Sequence, residues 1–84
     1  MSKYTPIKRY LAGIPKETKE ITLSFIQVEK IIKEKLPNSA FRYQEWWSNE
    51  ESGTHVQAHA WIAANWNVDT VNLGEKWVRF LRAK

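Results

Sequence analysis

Arginine, amide and imidazole side chains gather between positions 42 and 59 of this chain. Arg42, Gln44, Asn49, Gln57 and a pair of histidines, His55 and His59, are interleaved with Trp47, Ser48 and Thr54. Arg, Asn and Gln are the residues that make two-point contacts with guanine and adenine edges. Lys76, Arg79 and Arg82 follow near the C-terminus, where cations would hold a phosphate backbone. Thr54 and the free N–H groups of a helix it caps would take a phosphate. Each residue also has a plainer role: Asn49 closing a turn, Gln57 completing a capping box, Arg82 pairing with Asp69 or Glu75.

Other chemistries fit less well. His55 and His59 stand at i, i+4, which is metal-ligand spacing, but no third ligand follows and cysteine is absent. They share a helical sector with Ile62, so packing at the core edge competes with any groove-facing role. The candidate nucleophiles are serines and threonines, with His55, His59, Glu45, Glu50 and Glu51 as nearby bases. No nucleophile elbow, P-loop, dinucleotide fingerprint or metalloprotease motif is present. Eighty-four residues leave little room for a deep pocket. A non-enzymatic protein without a cofactor is therefore expected.

Trp46 and Trp47 pose a separate question. Neighbouring side chains diverge by about 100° on a helix and oppose each other on a strand. One tryptophan is expected in the core and the other at the surface beside Arg42, Gln44, Ser48 and Asn49. The plainer alternative packs both. Trp61, Trp66 and Trp77 lie within periodic elements and are expected to be core or partly buried.

The elements that position these residues follow from pattern. Thr5-Pro6 reads as an N-cap with proline at the first helical position, Ile7, Tyr10 and Leu11 repeat at helical spacing, and Gly13 ends a short helix. Residues 20–25 alternate Ile21, Leu23 and Phe25 against Glu20, Thr22 and Ser24, a half-buried strand. Ser24 and Gln27 have capping-box spacing for a second helix. Its stripe is Val28, Ile31, Ile32 and Leu36, and Pro37 stops it. Asn38 or Ser39 would cap a brief third stretch reaching Trp46 or Trp47. Residues 48–53 read as a polar turn. Thr54 and Gln57 repeat the box before a helix over 55–65, apolar on more than one face and ended by Asn65. Two β-rich runs flanking Asn72-Leu73-Gly74-Glu75 signal a hairpin, with Val78 and Phe80 on one face and Trp77, Arg79 and Leu81 on the other.

The order helix, strand, helix, brief helix, helix, strand, strand predicts an α+β domain of winged helix-turn-helix type, a single unit over residues 1–84. The insert at 48–54 is longer than the usual turn between such helices. Rival α+β arrangements share parts of this order.

Charge and composition set outer bounds. The net charge is +4 and the sequence pI about 9.5, with mean hydropathy -0.55. Residues 1–37 carry eight Lys/Arg against four Asp/Glu, and residues 38–84 five against five. A basic chain attracts nucleic acid or anionic surfaces at long range. No apolar run is long enough to span a membrane and no secretory h-region is visible, so a cytoplasmic location is expected.

Three clusters carry a resemblance. Leu36-Pro37-x-Ser39-Ala40, Trp46-Trp47-x-Asn49 and His55-x-Gln57-Ala58-x-Ala60-Trp61 stand between Leu23-Ser24-Phe25-x-x-Val28-Glu29 and Val78-x-Phe80-x-Arg82. Together they resemble a family of small, functionally uncharacterised bacterial and phage-associated domains bearing LPxSA, WWxN, HxQAxAW and VxFxR motifs, over residues 22–82. Asn65 stands where that pattern has glycine before Trp66, which retains a left-handed turn. The resemblance implies a shared fold and no established activity.

The leading expectation is a small module binding double-stranded DNA, a regulator or specificity part of a phage, mobile-element or defence system. The alternative is a protein-interaction domain, such as a phage-encoded inhibitor of a host protein, anchored by an exposed Trp/Arg surface. A homodimer through the 55–65 helix fits either.

Overall fold

The computed structural model describes residues 3–50 and 56–83. Thr54, His55 and the start of the helix placed at 55 lie outside the described residues.

Helix α1 spans Thr5–Ala12. Tyr4 rather than Thr5 is its N-cap, with no side-chain cap bond, so Thr5 and Pro6 both lie inside the first turn. A proline there sacrifices no hydrogen bond, because the first-turn N–H groups have no intrahelical partner. Ile7 and Leu11 face the core, whereas Tyr10 is 40% exposed and falls off the expected stripe.

Strand β1 (Glu20–Ser24) runs directly into α2 (Phe25–Ile32). Ser24 serves both. Its hydroxyl accepts from the Gln27 N–H at 3.0 Å, and the Gln27 side chain accepts from the Ser24 N–H at 2.8 Å, closing the expected capping box. Helix α2 stops at Ile32, earlier than Pro37 suggested, because Lys33 turns left-handed at φ 60. The Glu29 carboxylate then accepts the Leu36 N–H at 2.8 Å. That bond folds the chain back, so Leu36 is buried without being helical.

The expected third stretch breaks in two. Helix α3 covers Asn38–Arg42 with Pro37 as N-cap, Tyr43 is extended (φ -127, ψ 124), and a 3-10 turn follows over Gln44–Trp47. Helix α4 is Val56–Ala63. Asn65 ends this region at φ 71, the left-handed turn that asparagine tolerates.

Strands β2 (Trp66–Asn72) and β3 (Trp77–Arg82) form the hairpin. Asn72 closes its turn: the side-chain oxygen accepts from the Glu75 N–H at 2.8 Å, and its carbonyl accepts from the Lys76 N–H at 2.8 Å. The sheet is antiparallel in the order β1-β3-β2. Leu23 pairs with Val78, Ile21 and Val68 flank Phe80, and the β2 register slips by one residue at Asp69. Helix α4 packs on this inner face, the Trp61 and Phe80 rings meeting edge-to-face at 5.6 Å. Trp66 and Phe80 are fully buried, each contributing about 1.5–3 kcal/mol or more from burial. Element order and strand order together form an α+β domain compatible with a winged-helix arrangement.

Candidate functional site

The segment 38–49 and helix α4 are locked together by side chains reaching for backbone. Trp47 donates its indole N–H to the Ala40 carbonyl at 2.9 Å, and Gln57 donates its amide to the Trp46 carbonyl at 2.8 Å. The Asn49 amide accepts from the Val68 N–H at 2.7 Å and donates to the Val68 carbonyl at 2.8 Å. Trp61 donates to the same Asn49 oxygen at 3.0 Å. The Trp47 ring lies between those of Phe25 and Trp61, stacked on both at 4.9 and 6.1 Å.

These bonds redistribute the residues expected to face DNA. Trp47 is 1% exposed and Gln57 5%, so both side chains are buried rather than presented at the surface. Gln57 serves the Trp46 carbonyl, a role beside the capping box expected with Thr54. Asn49 completes the edge of β2. Trp46 is half-buried, edge-on to both Trp47 and Tyr4. Of the adjacent pair, Trp47 is the core residue and Trp46 the one at the boundary.

The hairpin cations are also engaged. Arg79 grips the Asp69 carboxylate from Nε at 3.0 Å and from Nη2 at 2.8 Å, and reaches the Thr70 hydroxyl at 3.3 Å. The Thr70 hydroxyl and the Arg79 guanidinium hold the Asp69 carboxyl below its usual range. Because β3 alternates, Arg79 points away from the sheet face that carries α4. Arg82, expected opposite Asp69 or Glu75, instead donates to the carbonyls of Thr18, Ile14 and Pro15 and lies over the Trp66 ring at 4.4 Å. Lys76 is exposed at the turn, and its carbonyl accepts from the Phe25 N–H at 2.9 Å.

Surface clefts open among the described residues. Gln44, Trp47, Ser48 and Asn49 meet Val68, Asp69, Thr70 and Val71 around about 300 Å³. His59 joins Thr5, Lys8, Val56, Ala60 and Ala63 in a groove of about 230 Å³ between α1 and α4. On the other side of the 3-10 turn, Ser39, Tyr43, Glu45 and Trp46 surround about 250 Å³. The expected set is thus divided: Gln44, Trp47, Ser48 and Asn49 share a cleft whose Asp69 and Thr70 are bonded by Arg79, His59 lies in the groove, and Lys76 and Arg82 line neither. Arg42 is exposed on α3. Tyr43, 55% exposed, escaped the sequence reading because its exposure follows from the break between α3 and the 3-10 turn, which no periodicity signals.

A profile for a domain of unknown function, DUF7662, matches residues 4–83, which takes in every element described above. The chain belongs to this family. Its match includes the Ala40–Trp47, Trp46–Gln57 and Asn49–Val68 contacts within one domain. Comparison with curated proteins and with solved structures found no match. Among the described residues no helix is long and apolar enough to cross a membrane, and no three His, Cys, Asp or Glu side chains cluster around a metal position.

Proposed function

We propose that this domain is a non-enzymatic interaction module that engages a protein partner through the corner made by α3 and the 3-10 turn. The observation that carries this reading is Tyr43, 55% exposed beside the half-buried Trp46, on backbone held by the bonds described above. Rigid aromatic side chains at a surface supply contact area at low entropic cost and dominate binding hot spots. Charge supports the same reading. Residues 43–84, which include α4 and the hairpin, hold four Lys/Arg against five Asp/Glu, so the part that would enter a DNA groove carries no positive excess. A phage-encoded inhibitor of a host protein belongs to this class.

A second reading keeps double-stranded DNA as the ligand, in a regulator or specificity module of a phage, mobile-element or defence system. The winged-helix-compatible element order favours it, as do the nine Lys/Arg against four Asp/Glu in residues 1–42. Its contacts would come from Arg42, His59, Lys76 and the lysines of α1 and α2.

A photo-reactive side chain at Tyr43, with a control at Lys33, tests the first reading in lysate. A discrete protein adduct at 43 and none at 33 is expected; equal or absent adducts reject it. Fluorescence anisotropy of random-sequence duplex DNA across a salt series tests the second. Binding that weakens with salt is its signature, because counterion release is independent of sequence.

A further inference from the structure

The cleft beside the 3-10 turn has a composition that selects a ligand. Two of its four lining residues are aromatic, Tyr43 and Trp46, and a third, Glu45, is a carboxylate; Ser39 adds a hydroxyl. Aromatic faces are negative and attract an ammonium or guanidinium within about 6 Å of the ring centre. Glu45 has no ion-pair partner among the described residues. A phosphate or carboxylate ligand would meet a negative charge here and an alkyl ligand would waste it.

The backbone of this corner and the Trp46 wall are held before any ligand arrives. The Tyr43 N–H donates to the Ser39 carbonyl at 3.0 Å, and its carbonyl accepts from the Trp46 N–H at 3.2 Å. Trp46 is wedged edge-on against Trp47 at 4.7 Å and Tyr4 at 5.9 Å, and Gln57 holds its carbonyl. Trp46 therefore needs little further ordering on binding, while the exposed Tyr43 and Glu45 side chains are ordered by the ligand.

We propose that Tyr43, Trp46, Glu45 and Ser39 form a receptor for a cationic side chain, arginine or lysine, presented by the partner protein. This rests on the protein-binding reading above and names the chemistry of the group recognised. The aromatic faces supply cation–π attraction and Glu45 the charge-assisted hydrogen bond; Ser39 accepts a remaining N–H.

The experiment is a titration of the whole chain with N-acetylarginine amide, followed by nitrogen-proton NMR at constant ionic strength. The Trp46 indole signal is assigned by its loss in Trp46→Phe. N-acetylcitrulline amide, the same shape without charge, is the control. Saturable shifts of the Trp46 indole and Tyr43 amide with the arginine compound alone are expected. Glu45→Gln weakens the midpoint by about two- to fivefold, the size of an exposed ion pair, and Tyr43→Ala by a similar factor from the lost cation–π contact. Both residues are exposed, so neither variant threatens folding. Equal shifts with the two compounds, or a Glu45→Gln curve that overlays the parent, overturn the proposal. If the titration fails while the Tyr43 adduct persists, the chain binds protein and the cationic ligand class is wrong. If the titration saturates and no adduct forms, the pocket takes cations and the protein-binding reading falls.

Discussion

Asn49 pairs with both backbone groups of Val68, nineteen positions away, as a neighbouring β-strand would. Strand β2 is an edge of the sheet, and an edge presents unpaired N–H and C=O groups to solvent and to other chains. The side-chain amide covers one such pair, and its oxygen also accepts the Trp61 indole N–H. Asn49→Ala is expected to destabilise the domain by about 1–3 kcal/mol, since three hydrogen bonds lose a partner. Urea unfolding measures this. Asn49→Asp keeps the acceptor but loses the donor to the Val68 carbonyl, and is expected to fall between the parent and Ala.

The adjacent tryptophans are expected to respond unequally. Trp47→Phe strands the buried Ala40 carbonyl and leaves space between the Phe25 and Trp61 rings. A loss of about 2–4 kcal/mol is expected. Trp46→Phe keeps the backbone carbonyl that Gln57 uses, and is expected to cost under about 1.5 kcal/mol. Denaturation midpoints of the two variants give the comparison, and equal losses contradict the assigned asymmetry.

Asp69 makes stability depend on acid pH. Its folded-state pKa lies below the ordinary aspartate value, chiefly through the Thr70 and Arg79 hydrogen bonds. A depressed carboxyl adds stability above its unfolded pKa and loses it as pH falls through the lower folded value. The midpoint difference between the parent and Asp69→Asn is therefore expected to be full at neutral pH and to close below the ordinary carboxylate range. Thermal unfolding against pH reads it. A difference that persists undiminished at strongly acid pH rejects this account.

Arg82 fastens the loop after α1 to the end of β3. Its guanidinium serves three carbonyls in residues 14–18 and stacks on Trp66. Lysine has the charge without the planar fork. Arg82→Lys is expected to raise amide hydrogen exchange in residues 14–19 while leaving α2 and α4 protected. Uniform acceleration across the domain would show instead that the contact is global.

Local pattern is sufficient for much of this fold. The Ser24–Gln27 capping box, the β1 alternation, the hairpin at 72–76 and the left-handed Asn65 all depend on residues close in sequence, so the chain carries them visibly. The early end of α2 did not show, because it comes from a left-handed Lys33 followed by Glu29 reaching Leu36 across the turn. The candidate site was legible only in outline. The segment 38–49 stood out by composition, but composition cannot say which amide meets a partner and which meets Val68 or Trp46. Those choices belong to the tertiary structure. A buried or edge-strand backbone group left unpaired costs free energy, so the nearest capable side chain is drawn in. Asn49, Gln57, Trp47 and Arg82 were claimed in this way, and Tyr43 and Glu45 were left facing outward.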